Sequence, residues 1–318
     1  MRGSPALLRT VLLALLLASP GSVRADERGW GYLIHKLIAD GVDRDRVVRT
    51  FSDPRVAPFD GLYFSLHPRE SHALYRGFLL PRSVAAARRC YLENAVALDA
   101  AEKADGVPAS VVAAILQIES GCVRHMGSAI VLPRLARLAM ANEPANLRAN
   151  IERLTFDDPD AEPLVRARAR YLENTFYPEV LATFTVAQRM GIEPLALRGS
   201  EGGAFGGPQF LPKSYLDFGV DGDRDGRVDL YEPADAAASC ARYLAQHGWH
   251  PGLSRAERRS VIWTYNRSDA YVDTVLELAR RIEQPGSSDE IVTARASRRR
   301  PTPLAKRPVR KTRRARTA

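Results

Sequence analysis

A glutamate at the end of an apolar stretch is the first candidate for chemistry in this chain. The stretch runs from Val107 to Gly121, and Gln117 is the only polar residue between Val111 and Ile118. A proline suits the first position of a helix, and glycine commonly ends one. A helix that is apolar on nearly every side belongs in a core, so the stretch predicts a short buried helix with Glu119 in its last turn.

The predicted position of Glu119 suits an acid catalyst. Burial disfavours the ionised carboxylate, and the negative end of the helix dipole acts in the same direction, so both raise the pKa. A glutamic acid that stays protonated near neutrality meets the requirement for a general acid. The alternative interpretation is that Glu119 reaches water or forms a salt bridge with a nearby arginine such as Arg124, because ion pairs also perturb carboxylates.

Residues 221–232 match the twelve-residue EF-hand calcium loop. Aspartate occupies positions 1, 3, 5 and 9, glycine occupies position 6, and glutamate occupies position 12. The predicted ligands are four carboxylates and one backbone carbonyl, from Asp221, Asp223, Asp225, Glu232 and Arg227. Because the pattern occurs once, it predicts a structural calcium ion and not a paired calcium sensor. We predict no organic cofactor.

Two other stretches have a composition typical of ligand contacts. Residues 199–209 contain five glycines, which allow a tight backbone course and the close approach of a ligand, although a structural linker has the same composition. Residues 265–271 place Tyr265, Asn266 and Tyr271 within one short stretch. Helix capping and packing explain such residues equally well on this evidence alone.

The elements that position these residues are predicted to be helices. One helix is predicted from Val84 to Lys103 with Ser83 as N-cap, and its return near Gly106 would form a hairpin with the Glu119 helix.

This hairpin bears on the three cysteines of the chain outside its first 25 residues. Cys90 and Cys122 would be equally far from the turn, which predicts a disulfide between them and leaves Cys240 as a buried free thiol. The alternative is that no cysteine is bridged.

Further helices are predicted in the second half of the chain. Val165 to Met190 has a helical pattern in which Pro178 is predicted to start a new helix. The pattern from Val261 to Ile282 predicts one helix, with residues 265–271 (the Tyr-Asn stretch) near its beginning. Another helix is predicted from Ile130 to Ala141.

The first 25 residues have the pattern of a secretory signal peptide. Arginines precede an apolar run over residues 11–18, and Val23-Arg24-Ala25 offers a cleavage site after Ala25. The run is too short to span a bilayer comfortably, and no later run reaches eighteen apolar residues. We therefore predict an exported, periplasmic protein without a transmembrane helix, and the lack of a cysteine near the cleavage site argues against a lipoprotein.

The formal net charge of +9 is unevenly distributed. Residues 295–318 contain eleven Lys or Arg and no acid, whereas residues 26–294 carry a net charge of −5. The Pro-, Ser- and Arg-rich segment 285–318 is predicted to be disordered. Its cations would attract anionic cell-envelope polymers, and export makes nucleic acid an unexpected partner. A merely solvated tail is the alternative.

Four stretches in this order resemble the membrane-bound lytic transglycosylase B family of bacterial murein-degrading enzymes. They are residues 106–127, residues 199–215, the acidic loop continuing into residues 232–236, and residues 265–271. The resemblance implies a mainly helical, lysozyme-like (α+β) fold with a single EF-hand-like calcium loop. It divides the chain into a signal peptide (1–25), an N-terminal helical region (26–104), a catalytic domain (105–284) and the basic tail (285–318).

The same resemblance implies cleavage of the glycan strands of peptidoglycan with Glu119 as the catalytic acid. It also implies a sugar cleft lined by Ser200, Gln209, Tyr265, Asn266 and Tyr271. The chain departs from the family pattern at three positions. Ser120 replaces the usual threonine, Val123 stands where the family has glycine, and Glu201 stands where an aromatic residue often follows the serine.

The number of catalytic carboxylates separates the candidate activities. Ordinary glycosidases use two, whereas a lytic transglycosylase needs one, because the substrate's acetamido group can stabilise the cationic centre. Glu119 would then act as acid and afterwards as base, and a 1,6-anhydro ring would form. The alternatives are a lysozyme-type hydrolase, with Glu201 or another acid as second carboxylate, and a catalytically inactive peptidoglycan-binding protein.

Overall fold

The computed structural model describes residues 28–66, 74–156 and 158–284. Twelve α-helices lie in this part of the chain. The first seven are α1 (Gly31–Ala39), α2 (Arg44–Ser52), α3 (Pro81–Glu93), α4 (Ala95–Asp105), α5 (Ala109–Ser120), α6 (Val131–Ala139) and α7 (Pro144–Leu154). The other five are α8 (Glu162–Met190), α9 (Pro212–Phe218), α10 (Pro233–Gln246), α11 (Arg255–Tyr265) and α12 (Asp269–Glu283). Short 3-10 turns span Arg76–Leu79, Pro159–Ala161 and Pro194–Ala196.

One small antiparallel sheet joins two distant parts of the chain. Strand β1 (Ala129–Ile130) pairs with β2 (Arg198–Gly199), with Ala129 opposite Gly199. Ile130 is therefore a strand residue, and the helix predicted to begin there begins at Val131. The pairing places the glycine-rich stretch beside the residues that follow α5.

Helix α5 lies at the centre of one hydrophobic core. Every residue from Ala109 to Leu116 is buried, and α3, α4, α10 and α12 surround the helix. A helix with no polar face can avoid water only if other helices cover every side. The predicted buried helix is therefore confirmed. This core also includes Val84 and Leu98, so it crosses the boundary predicted at residue 104.

A second core joins the N-terminal helices to the middle of the chain. Trp30, Leu33 and Phe51 from the first part of the chain pack with Leu132 of α6 and Val180 of α8. Helices α6 and α8 lie against each other along this core. Phe205 of the glycine-rich stretch belongs to this second core, so the core also holds that stretch in place.

Pro178 does not start a new helix, contrary to the prediction. Helix α8 runs without interruption from Glu162 to Met190 with Pro178 inside it. A proline in a helix interior costs about 3 kcal/mol. The same turns bury Tyr177, Val180 and Phe184, and each buried side chain of this size contributes about 1.5–3 kcal/mol. Tertiary packing therefore outweighs the local cost.

The single helix predicted from Val84 to Lys103 is also wrong, because the chain breaks at Asn94. The Asn94 side-chain amide donates to the Cys90 carbonyl at 2.9 Å, which satisfies an acceptor at the end of α3. Helix α3 begins at Pro81, ahead of the predicted N-cap Ser83. Val96, next to the break, is 88% exposed. The predicted hairpin thus consists of three helices.

The single helix predicted from Val261 to Ile282 is divided in the same way. Asn266 has an extended backbone (φ −144°, ψ 120°) and ends α11. The Ser268 hydroxyl accepts a hydrogen bond from the Tyr271 amide and begins α12. The Tyr-Asn stretch is therefore a corner between two helices, which allows its side chains to point toward α5.

Within the three described ranges, no helix is both long enough and apolar enough to cross a membrane. The predicted signal peptide and the predicted basic tail lie outside the described residues.

Candidate active site

Glu119 lies in the last turn of α5, as predicted. Gly121 follows the helix in the left-handed conformation (φ 59°) and ends it, because a glycine has no Cβ that would clash there. The backbone continues in the same conformation at Cys122 (φ 66°) and Val123 (φ 59°). Three consecutive left-handed residues turn the chain sharply away and leave Glu119 at the end of the buried helix.

The electrostatic setting of Glu119 favours its protonated form. Burial raises its pKa to about 7, while a hydrogen bond from Tyr271 opposes this shift by stabilising the carboxylate. The Tyr271 hydroxyl donates to Glu119 Oε1 at 2.6 Å. Arg124, the alternative partner considered from the sequence, instead pairs with Glu93 at 2.6 Å. Glu119 therefore has the pKa of a general acid near neutral pH.

A group of tyrosines lies beside Glu119. Tyr271 is almost completely buried, and its ring lies parallel to that of Tyr265 with centroids 6.4 Å apart. The ring of Tyr75 meets Tyr271 edge-on at 5.6 Å, and the Asn266 side-chain amide donates to the Tyr75 hydroxyl at 3.4 Å. Tyr75 was not identified from the sequence. It precedes a 3-10 turn in an irregular stretch, where no local pattern distinguishes it.

Three successive carbonyls of the glycine-rich stretch accept side-chain hydrogen bonds, one of them from the end of α5. Gly206 accepts from its neighbour Gln209 at 2.8 Å, and Gly207 accepts from Ser120 at 2.7 Å. Pro208 accepts from the Tyr265 hydroxyl at 2.5 Å. Helices α5 and α11 therefore both hold this stretch in place.

The stretch needs glycine because the backbone segments approach each other closely. A Cβ on Gly199 would lie 2.1 Å from the Ala204 carbonyl oxygen, and one on Gly127 would lie 2.1 Å from the Gly199 carbonyl oxygen. Gln209, which has a positive φ of 51°, also donates to the Met126 carbonyl at 3.3 Å. The glycines thus allow residues 199–209 to form a packed wall beside α5, and contact of this stretch with a ligand stays a prediction.

Ser200 makes its contacts within its own turn. The Ala204 amide donates to the Ser200 hydroxyl at 3.2 Å. The next residue, Glu201, forms an ion pair with Arg134 at 2.6 Å, and its side chain is 77% exposed. Exposed pairs of this kind contribute little to stability. Glu201 is therefore a surface carboxylate that is bound to an arginine.

Cys90 and Cys122, the predicted pair, are joined by a disulfide. Cys240 is a buried free thiol, as predicted. The disulfide attaches the left-handed turn after α5 to the end of α3. Val123 packs against Gly207 within the same turn, since a Cβ on Gly207 would lie 2.8 Å from a Val123 methyl carbon. A β-branched residue is unusual in this conformation. Here the disulfide holds Cys122 in place and packing against Gly207 holds Val123.

The acidic loop is folded around its own carboxylates. Asp221 accepts hydrogen bonds from the amides of Asp225 and Gly226, and Asp225 accepts one from the amide of Arg227. Gly226 has a φ of 92°, which permits the sharp turn predicted there.

Asp235 closes the loop and was not among the predicted ligands. It lies in the first turn of α10, and its two oxygens accept from the amides of Gly222 at 2.7 Å and Asp229 at 2.6 Å. Burial raises its pKa, and these backbone hydrogen bonds oppose the shift. The sequence signal that could have found it is its place three residues after Glu232, at the start of the helix that follows the loop.

The oxygen ligands of the loop fit a hard cation. Within the described part of the chain, the one group of three ligand-type side chains whose oxygens lie within 4.8 Å of each other is Asp221, Asp223 and Asp235. Carboxylate oxygens are the ligands that calcium prefers. Asp225, Glu232 and the Arg227 carbonyl are not part of this group, so their role as ligands stays a prediction.

Comparison with known proteins identifies relatives of the chain. Residues 27–259 match the family described as "Transglycosylase SLT domain". The chain is 33% identical over 156 residues to membrane-bound lytic murein transglycosylase B of Escherichia coli (strain K12). This match covers 49% of the chain and 36% of the Escherichia coli protein, so it spans about a third of that relative's length.

Solved structures of lytic transglycosylases share the fold. The Escherichia coli lytic transglycosylase Slt35 in complex with calcium aligns with a TM-score of 0.58 at 21% identity, over 83% of this chain and 93% of that one. SltB3 of Pseudomonas aeruginosa in complex with NAG-anhNAM-pentapeptide aligns with a TM-score of 0.58 at 21% identity, over 81% and 79% of the two chains. The mainly helical, lysozyme-like fold expected from the sequence is thus confirmed.

Proposed function

This chain belongs to the transglycosylase SLT domain family, and from that premise we propose that it is a lytic murein transglycosylase with Glu119 as its single catalytic carboxylate. The reaction cleaves the β-1,4 bond between N-acetylmuramic acid and N-acetylglucosamine in peptidoglycan. Its product is a glycan end that carries 1,6-anhydromuramic acid. The family relatives named above support the substrate class, since one of them binds a NAG-anhNAM-pentapeptide.

The observation that carries the proposal is the isolation of Glu119. Its pKa is raised by burial and lowered by Tyr271, and no charged side chain of the described residues is among the causes. A second catalytic carboxylate near Glu119 would repel its negative charge and raise the pKa further. A single acid at the end of a buried helix suits a reaction in which the substrate supplies the other reacting groups.

Glu119 performs two proton transfers in this mechanism. Its protonated carboxyl first gives a proton to the glycosidic oxygen, and the bond from that oxygen to the muramic acid C1 breaks. The acetamido group of the muramic acid stabilises the cationic C1. The substrate's own C6 hydroxyl then attacks C1 and loses its proton to the Glu119 carboxylate. The acid is regenerated and no water is consumed.

The other predicted cleft residues position Glu119 and the sugar. Tyr271 donates to Glu119, which keeps the carboxyl oriented and stabilises its ionised form for the second proton transfer. Tyr265 and Gln209 hold the wall beside α5 through Pro208 and Met126. Ser200 and Asn266 contribute polar groups for the acetamido group or the sugar hydroxyls.

The acidic loop is assigned a structural calcium ion. Asp221, Asp223 and Asp235 would hold it, and the ion would neutralise their mutual repulsion. The loop also touches the wall of the cleft, because the Gly207 amide donates to the Leu230 carbonyl at 2.7 Å. The calcium complex of Escherichia coli Slt35 supports this assignment.

Two segments outside the described residues, 1–25 and 285–318, have proposed roles in export and in binding. The predicted signal peptide, residues 1–25, directs the protein to the periplasm, where peptidoglycan is found. The basic tail, residues 285–318, gives weak, salt-sensitive attraction to anionic envelope polymers. Deletion of the tail should lower binding to purified sacculi at low salt; unchanged binding would mean that the tail is only solvated.

Product analysis tests the proposed reaction. Purified sacculi are digested with wild-type protein and with Glu119→Gln, and the soluble products are analysed by mass spectrometry. The wild type should release muropeptides with 1,6-anhydromuramic acid, and Glu119→Gln should release them about a hundred- to ten-thousandfold more slowly. Products with reducing-end muramic acid would indicate a hydrolase, and equal release by both proteins would indicate a binding protein without catalysis.

Glu201→Gln is the matched control for the hydrolase alternative. Glu201 is exposed and paired with Arg134, so removing its charge should leave the rate within about threefold of wild type. A loss comparable to that of Glu119→Gln would identify Glu201 as the second carboxylate.

A further inference from the structure

We propose that a groove beside helix α7 binds the glycan strand at a distance from the cleavage site. The groove has a volume of about 440 Å³, within the range of ligand sites. It is lined by aromatic, acidic and small residues: Gly29, Phe59, Asp60, Gly61, Tyr63, Glu143, Ala145, Asn146 and Ala149. The inference rests on the proposed function, because it extends the substrate of that same reaction.

Two aromatic rings of the groove are held in place by arginines that lie outside its lining. Tyr63 is 72% exposed, and the Arg153 guanidinium lies 5.2 Å from its ring. Arg153 is itself fixed, because it donates to the Phe64 carbonyl at 2.8 Å. Phe59 is covered by Arg137 at 5.6 Å in the same manner. A fixed, exposed ring offers a flat apolar surface to the C–H face of a sugar.

The polar groups of the groove are acceptors for sugar hydroxyls. Asp60 and Glu143 are carboxylates, and no lysine or arginine is among the lining residues. One oxygen of Asp60 pairs with Arg137 at 2.9 Å, and one oxygen of Glu143 accepts from the Asn146 amide at 2.7 Å. The Arg137 and Arg153 guanidinium groups next to the lining offset the charge of these two carboxylates. The lining therefore favours the hydroxyl-rich backbone of a glycan.

Helix α6 connects this groove to the candidate active site. Arg134 pairs with Glu201, which follows Ser200, and Arg137 pairs with Asp60 in the groove. Residues three apart lie on the same side of a helix, about 5–6 Å from each other. Only one turn of α6 thus separates the Ser200 turn from the groove, and a strand that leaves the cleft over Arg134 enters the groove at Asp60.

Binding of glycans of two lengths tests the inference. Peptide-free long strands and a tetrasaccharide made from them are titrated against proteins that all carry Glu119→Gln, so that no cleavage occurs. Tyr63→Ala should weaken binding of the long strands about tenfold and leave tetrasaccharide binding unchanged. Tyr63→Phe keeps the ring and should bind the long strands as the parent does.

Tyr171→Ala is the matched control. Tyr171 is another exposed tyrosine with an arginine, Arg168, at 5.1 Å from its ring, and it lies outside the groove. It should leave long-strand binding unchanged. The inference is overturned if Tyr63→Ala binds long strands within twofold of the parent, if both lengths weaken equally, if Tyr171→Ala shows the same loss, or if long strands do not bind.

The experiments distinguish a failure of the proposed function from a failure of the groove proposal. If wild-type protein releases no anhydromuropeptides but long-strand binding depends on Tyr63, the groove is a glycan site in a protein with another activity. If the wild type releases them and Tyr63→Ala has no effect on long strands, the proposed function stands without the groove.

Discussion

Two regions of this protein use carboxylates in opposite ways. At the end of α5, Glu119 is largely shielded from water and receives a hydrogen bond from Tyr271; burial dominates and raises its pKa to about 7. In the acidic loop, Asp221 accepts backbone amide hydrogen bonds from two residues, and so does Asp235. Glu119 is thus suited to carry a proton, whereas backbone amides fix the oxygens of Asp221 and Asp235 within a cluster of negative charge.

The two regions are also stabilised differently. A disulfide and close packing hold the turn after α5, whereas hydrogen bonds from the loop's own backbone shape the acidic loop. The former gives a rigid position for a reacting group. The latter gives a cluster of negative charge that a bound ion would neutralise.

The disulfide should give the largest effect on stability. Replacing Cys90 and Cys122 by alanine removes a cross-link between residues 32 apart, which should lower the free energy of unfolding by about 3–4 kcal/mol. Urea unfolding measures the loss, and Cys240→Ala is the control for removing a thiol. A loss below about 1 kcal/mol would show that packing alone holds the end of α5.

The raised pKa of Glu119 should make its contribution to stability depend on pH. In the unfolded chain the pKa is near 4.5, so the folded state binds the proton more tightly. The free energy of unfolding therefore falls as the pH rises from about 4.5 to about 7. Glu119→Gln should therefore be more stable than wild type by about 3 kcal/mol at pH 8. Thermal unfolding at pH 8 and pH 4 measures this difference, which should vanish at pH 4. A difference independent of pH would contradict the raised pKa.

The acidic loop should depend on Asp235 more than on an exposed aspartate. Asp235→Asn leaves one acceptor where two amides now donate, which should cost about 2 kcal/mol. Asp225→Asn should cost less than about 1 kcal/mol, because Asp225 is exposed. Calorimetry with calcium and with chelator measures both effects. Equal losses for the two variants would show that burial of Asp235 is unimportant.

The smallest expected effect concerns the hydrogen bond to Glu119. Tyr271→Phe removes the donor that favours the carboxylate, so the pKa of Glu119 should rise further. The decline of activity at alkaline pH should then move to higher pH by the same amount. The pH dependence of kcat/KM measures it, and a shift to lower pH would contradict the assigned direction.

Local sequence patterns predicted several features correctly. The apolar stretch before Glu119 is a buried helix that Gly121 ends, and the sharp turn at Gly226 is present. The disulfide between Cys90 and Cys122 is present as predicted, although the helix predicted from Val84 to Lys103 breaks at Asn94. The buried helix and the turn at Gly226 depend on residues near each other in the chain, where composition and spacing decide the conformation, whereas the disulfide joins residues 32 apart.

The predictions that are wrong concern positions whose conformation depends on residues far away in the chain. Pro178 stays inside α8 because its neighbours are buried, and the Tyr-Asn stretch is a corner between α11 and α12. Tyr75 reaches its site from another element and no local pattern marks it, whereas Asp235 is marked only by its place three residues after Glu232.

The sequence by itself determined which residues are suited to chemistry: an acid in an apolar helix, an acidic loop with the spacing of a calcium site and a glycine-rich stretch. Only the tertiary structure decided what surrounds each of them. It placed the Tyr271 hydroxyl 2.6 Å from Glu119, kept Arg124 with Glu93, and paired Glu201 with Arg134. The physical reason is that a pKa and a binding site depend on burial and on the nearest charges, and folding brings these from distant parts of the chain.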